Sequence, residues 1–317
     1  MPKVQPAAPR FPGFQNLTKE ERKSVTHGDF WIPEDEREVY KLALAALNEA
    51  GVPYVVAGAY AIYEHTGIYR QTKDLDLFCT PEAVLQAMQV LRDSGFITRL
   101  EQPHWLAKAI SKANRDHFID IIYGMGNGLA LIDDDWFKHS SPATLAATQV
   151  RVAPVEELIW HRLFIHERHR QDMADVAHLI LCKGHLMDWR RLVTKTGEHW
   201  PLLLSQVSMF RYVYPGYRDQ VPEWVVRELV AKAEQAAHQR SEEGEEHNIT
   251  RGTMISRFSF AIDVNEWGFH DLREDSIAGM QKHPAVLGCL ASDVWDERAN
   301  FDADDQSAVP TPGDEEE

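Results

Sequence analysis

The sequence predicts a mixed α/β chain of the α+β kind, in which a region built on a mixed β-sheet is followed by a mostly helical region and an acidic C-terminal extension. Three observations predict it. Up to about residue 150, short apolar runs of strand character alternate with stretches suited to helix. From Pro154 onward the pattern changes to helices. Residues 241–317 then carry 19 acidic and 5 basic side chains, a net charge of −14 out of −16, so the first 240 residues are nearly neutral. These shifts divide the chain into an arm (1–32), a sheet-bearing domain (33–150), a helical domain (151–235), a linker with an appended segment (236–301) and a tail (302–317).

The arm begins with proline and small polar residues, and its expected state is flexible, pinned at most by Phe11, Phe14, Phe30 or Trp31. Pro33 with Glu34, Asp35 and Glu36 starts a helix, because proline suits the first turn and acids suit the positive end of the dipole. Tyr40, Ala43, Leu44 and Leu47 share one face of it, and Gly51 stops it. Residues 53–57 read as a buried strand running into a tight turn at Gly58, followed by helix to Gly67 and a second strand, Asp74–Phe78. Thr80-Pro81-Glu82 starts the next helix, which carries Val84, Leu85, Met88 and Leu91 and ends near Gly95. Strands at 96–100, around 105–110 and at 118–122 complete the sheet, and the glycine-rich stretch 124–128 is a turn, since it lacks the Lys-Ser/Thr of a phosphate loop.

Period two along a strand puts Asp74 and Asp76 on one face and Leu75 and Leu77 on the other. Adjacent carboxylates raise each other's pKa unless a cation lies between them, and hard oxygen ligands of this kind suit magnesium. A helix N-terminus at Gly58 offers backbone N–H groups to phosphates. Together these features describe a site for a metal-bound nucleoside triphosphate. Asp120 interrupts the apolar strand 118–122, where a carboxylate is costly to bury without a partner or metal.

The arrangement of strand, Gly58-Ala59 and helix, followed by Arg70-x-Thr72-x-Asp74-x-Asp76 and the later Asp120, resembles the polymerase-β-type nucleotidyltransferase superfamily. It is most similar to the bacterial branch with the abortive-infection nucleotidyltransferase toxins and the aminoglycoside nucleotidyltransferases. Ala59 departs from the glycine or serine usual there. The resemblance implies a catalytic domain over 33–150, with Asp74, Asp76 and Asp120 as catalytic metal ligands. It implies Mg2+ (or Mn2+) as cofactor and Gly58, Ala59, Arg70, Thr72 and Lys73 around a nucleoside triphosphate such as ATP. The acceptor it leaves open is a small molecule, a tRNA or a protein. In 155–175, Arg162, Arg168, Asp172 and Asp175 resemble that branch's helical segment over the cleft; the two arginines either neutralise phosphate or pair internally with the two aspartates.

Other patterns compete with these. His166, His169 and Asp172 fit a metal-binding helix face, and equally a polar face alternating with Leu163, Ile165, Val176 and Leu179. Trp189, Trp200, Leu202, Leu203, Leu204, Phe210, Tyr212 and Tyr214 read as helical core. Residues 233–248 read as an acidic linker, 250–264 as an appended strand whose Arg251 and Arg257 are placed to reach an acidic ligand, and 302–317 as disordered.

Composition bounds the function. With 317 residues, 44% hydrophobic and 26% charged, the chain has globular proportions. No apolar run approaches a membrane span and no signal segment is evident, so the expected setting is cytoplasmic. Cys79, Cys182 and Cys289 are too dispersed for a disulfide framework or a zinc site. The absence of a basic stripe excludes a nonspecific nucleic-acid binder. A nucleotide-binding interaction protein that engages a protein partner is the alternative to an enzyme, and a toxin-like modifier of tRNA or protein is a variant of the enzyme.

Overall fold

The computed structural model describes residues 32–68, 72, 74–167, 170–238 and 248–291. Residues 1–31 of the N-terminal arm, Arg70, Lys73, Arg168, His169 and the acidic tail lie outside the described residues.

The first helix is Glu34–Glu49, with Pro33 at its cap, three acids in its first turn, and Tyr40, Ala43, Leu44 and Leu47 buried against the sheet. Gly51 follows with φ of 66°, a value that suits glycine at this chain reversal. Seven strands form one mixed sheet: β1 Val55–Val56, β2 Asp74–Phe78, β3 Phe96–Gln102, β4 Leu106–Ser111, β5 Phe118–Ile122, β6 Ser141–Leu145 and β7 Thr148–Val152. Their order is β3-β4-β5-β2-β1-β7-β6. β2 runs parallel to β5 and antiparallel to β1, while β4 runs antiparallel to both β3 and β5. Leu75, Leu77, Ile119 and Ile121 are buried, whereas Asp74, Asp76 and Asp120 are only half-buried on the opposite face. The alternation that forms the core on one side thereby leaves the acids open on the other.

Helices Val84–Asp93, Val155–Arg162, Met173–Lys183, Trp189–Thr196, Trp200–Val213 and Glu223–His238 follow the expected order. An ionic lock joins two of them: Arg191 Nη2 lies 2.6 Å from Glu156 Oε2 and 3.3 Å from the fully buried Glu157 Oε2. Trp189, Leu203 and Phe210 are buried in the helical core as expected, but Tyr212 is 80% exposed. The helix Trp200–Val213 buries Leu203, Gln206, Val207 and Phe210, a stripe spaced three and four residues apart, and Tyr212 falls outside it.

Two other expectations are corrected. The stretch 233–248 is not all linker, because the helix Glu223–His238 continues to His238; its alanines are good helix formers despite the polar surroundings. Residues 250–264 are not a strand. Ile249–Thr250 makes a two-residue pairing with His270–Asp271, and the rest is a 3₁₀ turn, Gly252–Met254, and a short helix, Ala261–Asn265. Gly252 permits a close approach here: a Cβ at this position would lie 2.3 Å from the Phe260 ring, so the chain folds back on itself instead of extending. Two further helices, Leu272–Gln281 and Pro284–Ala291, complete the described chain. Among the described residues, no helix is long and apolar enough to cross a membrane, and the three cysteines are free thiols.

The hairpin between β6 and β7 turns on Ala146 and Ala147, with φ of 48° and 56°. Two-residue hairpin turns of this kind favour glycine or asparagine, because a Cβ is strained at positive φ. Ala147 is exposed. Ala147→Gly is therefore expected to stabilise the fold by about 1 kcal/mol, and equilibrium urea denaturation would register it.

Candidate active site

The exact pairing of β2 with β5 builds the site. Asp76 sits opposite Asp120 in this parallel pair, with Asp74 two residues earlier on the same face. Carboxylate oxygens from Asp74, Asp76 and Asp120 all lie within 4.8 Å of one another. Each is fixed differently. Thr72 Oγ1 donates to Asp74 Oδ1 at 2.7 Å and so orients that carboxylate. Asp76 lies against the turn at Gly58, whose φ is 57°; a Cβ there would fall 1.6 Å from Asp76 Oδ2. Only glycine fits. The N–H of Ala57 bonds the Asp76 carbonyl at 2.9 Å and locks that approach. The helix Gly58–Thr66 therefore begins beside a carboxylate, with the first-turn N–H groups of Gly58 and Ala59 lacking partners within the helix.

Asp120 has a partner that the sequence reading did not identify. Lys108 on β4 stands directly across from it, with Nζ 3.2 Å from Asp120 Oδ1 and 4.0 Å from the centre of the Phe118 ring. The signal was a lysine inside the otherwise apolar run Leu106–Ile110. The ammonium is the cation that faces the otherwise buried Oδ1. Burial pushes the Asp120 carboxyl up to about 6; Lys108 opposes the rise and Asp74 adds to it. Three hard carboxylate oxygens within 4.8 Å of one another fit a divalent cation such as Mg2+ or Mn2+.

The acids lie in a cleft of about 900 Å³ that Gly58, Ala59, Thr72 and Arg162 also line. Trp105 and Met125 come from the sheet side. Thr253, Met254, Arg257, Phe258 and Arg273 come from the appended segment, which the sequence reading had left without a site role beyond its arginines.

A sequence profile described as "Uncharacterised nucleotidyltransferase" matches residues 37–209, more than half of the chain and all three acids. The chain belongs to this family. Similar solved structures include the lincosamide antibiotic adenylyltransferase LnuA with lincomycin bound, at 15% identity and a TM-score of 0.31, covering 52% of this chain and 97% of that one. The antibiotic-resistance factor ANT(2'')-Ia aligns at 16% identity and a TM-score of 0.37, over 65% and 98%. JHP933 from Helicobacter pylori aligns at 14% identity and 0.33, over 70% and 97%. Scores this low add no weight to the reading of the site. No curated protein matches the chain at a significant level.

The other site residues expected in this nucleotidyltransferase divide in two. Arg70, Lys73 and Arg168 lie outside the described residues. Arg162 lines the cleft, but it is buried beside two buried carboxylates, with Nε 3.4 Å from Asp175 Oδ2 and 3.7 Å from Asp172 Oδ2. That arrangement is the internal pairing that the sequence left open. The proposed His166–His169–Asp172 helix face does not form, because His166 is in the two-residue strand His166–Glu167 and Asp172 caps the helix Met173–Lys183. His166–Glu167 pairs antiparallel with Arg170–Gln171.

Removing Arg162 takes a buried cation away from beside two buried carboxylates, so Arg162→Met is expected to lower stability by about 3 kcal/mol, seen by urea denaturation. Protons compete with the metal at Asp120, so Mn2+ affinity is expected to hold above pH 6 and fall roughly tenfold per pH unit below it. Lys108→Met removes the charge that opposes protonation and should move this fall to higher pH, as titrated by electron paramagnetic resonance.

Proposed function

We propose that this nucleotidyltransferase transfers a nucleoside monophosphate from a metal-bound nucleoside triphosphate to an acceptor hydroxyl, releasing pyrophosphate. The observation that carries the proposal is the crowding of Asp74, Asp76 and Asp120 beside the N-terminus of the helix Gly58–Thr66. In this reading residues 33–150 are the catalytic domain, and the helices after Pro154 lie over the cleft.

Asp74, Asp76 and Asp120 hold the cation. When bound, Mg2+ or Mn2+ supplies neutralisation of phosphate charge. The N–H groups of Gly58 and Ala59 grip phosphate oxygens at the positive end of the helix. Thr72 keeps Asp74 turned toward the cation by occupying its other oxygen. The acceptor oxygen forms a bond to the α-phosphorus as the bond from that phosphorus to the bridging oxygen breaks, and pyrophosphate departs in line. The hydroxyl proton passes to the Asp120 carboxylate and then to water. Positioning and charge neutralisation carry the rate, as in phosphoryl transfer generally.

The test supplies the purified protein with Mg2+, each α-labelled nucleoside triphosphate in turn and a cell extract. Label is then followed into small-molecule, RNA and protein fractions. Wild type is expected to label one fraction, and Asp76→Ala none. Undiminished transfer by Asp76→Ala would sink the assignment.

A further inference from the structure

The strand registers lay a row of charges across the open face of the sheet. Asp76 on β2 stands opposite Asp120 on β5, Asp120 opposite Lys108 on β4, and Lys108 opposite Arg99 on β3. Two acids are followed by two bases. Arg99 is engaged within its own strand, with Nε 2.6 Å from Glu101 Oε2. Lys108 is engaged toward the acids, with Nζ 3.2 Å from Asp120 Oδ1.

Several features hold the ammonium in that place. β4 is paired on both sides, to β3 and to β5, so the backbone that carries Lys108 is fixed. Nζ lies 4.0 Å from the centre of the Phe118 ring, a cation–π contact with the residue two before Asp120 on the same face. The like charge of Arg99 across the strand pair favours the same orientation. The two side chains of the Lys108–Asp120 pair are 17% and 14% exposed, so solvent screens their attraction poorly.

This pairing bears on how many cations the acidic trio holds. In two-metal sites the ions lie about 3.5–4 Å apart and flank the attacking and leaving oxygens. One magnesium ion is commonly held by one or two carboxylates together with water and substrate phosphates, a need that the β2 acids Asp74 and Asp76 can meet. A second ion depends on Asp120, the member of the trio that β5 supplies, and Asp120 already has a positive charge at its oxygen. Three carboxylates facing one ammonium leave a net charge of −2, which a single divalent cation balances.

We propose that Lys108 takes the place of a second metal ion. The trio holds one divalent cation, and the ammonium supplies at Asp120 the positive charge that a second ion would otherwise bring. Lys108 acts through Asp120 and is therefore a positioning residue. This inference rests on the nucleotidyl-transfer reading and deepens it by fixing the number of cations at the site.

The test loads the full chain with Mn2+ at pH 8, alone and with the α,β-methylene analogue of each ribonucleoside triphosphate. Electron paramagnetic resonance counts the bound ions, and two ions this close betray themselves by splitting each other's spectrum. Wild type and Lys108→Arg are expected to show a single uncoupled ion at saturation. In Lys108→Met the count should rise from about one to about two per chain, with the spectrum of a coupled pair. Should Lys108→Met not fold, Lys108→Gln replaces it, and the wild-type count alone still decides against the inference if it is two. A coupled pair in wild type, or a single ion in the folded neutral variant, overturns the inference alone. If wild type binds no Mn2+, or Asp76→Ala binds it as wild type does, the underlying reading of the site fails and the inference falls with it.

Discussion

Electrostatic repulsion between three carboxylates is the constraint on which the rest of this structure depends. The parallel register of β2 and β5 forces Asp76 against Asp120, and a one-residue slip would send the acids into the core and the leucines out. The surroundings hold this unfavourable arrangement in place. Thr72 satisfies one oxygen of Asp74, Lys108 faces Asp120 across β4, and the turn at Gly58 is stripped to a bare Cα so that Asp76 can occupy the space. Each contact lowers the cost of crowding, while burial still holds the Asp120 carboxyl above its usual range. Such a site is primed for a cation, much as a strained turn is primed for its ligand.

Much of the fold was legible because the sheet-bearing half is locally encoded. The Asp-Leu-Asp-Leu-Phe run states its strand, its two faces and its acids within five residues, and β2 has the predicted bounds Asp74–Phe78. The first helix, too, declared its start at Pro33, its buried face and its stop at Gly51. Lys108 was harder to read. Its role comes from pairing with a strand that lies ten residues away across a turn, and only the register of β4 with β5 brings it opposite Asp120. The choice between phosphate and carboxylate partners for Arg162 likewise depended on how far its helix is buried, which spacing alone does not state.

The C-terminal segment was the least legible. Its alternating residues suggested a strand, yet packing against Gly128 and the core turned it into short helical pieces, a case in which tertiary contacts outweigh local propensity. The site therefore combines one wall written in contiguous motifs with another whose meaning appears only after the chain has returned to them.

That return has a consequence for how the protein comes into being. The hydrogen bond from Asn127 to Met254 closes a loop of 127 residues, and that from Arg273 to Gly126 one of 147. Contacts between such distant points carry a large loop-closure entropy, and they form late relative to the local pairings of the sheet. During synthesis the acidic trio is made long before the wall that faces it. A nascent chain thus passes through a stage with its carboxylates assembled and its cleft still open on one side, and the finished pocket appears only when the chain through Arg273 has left the ribosome.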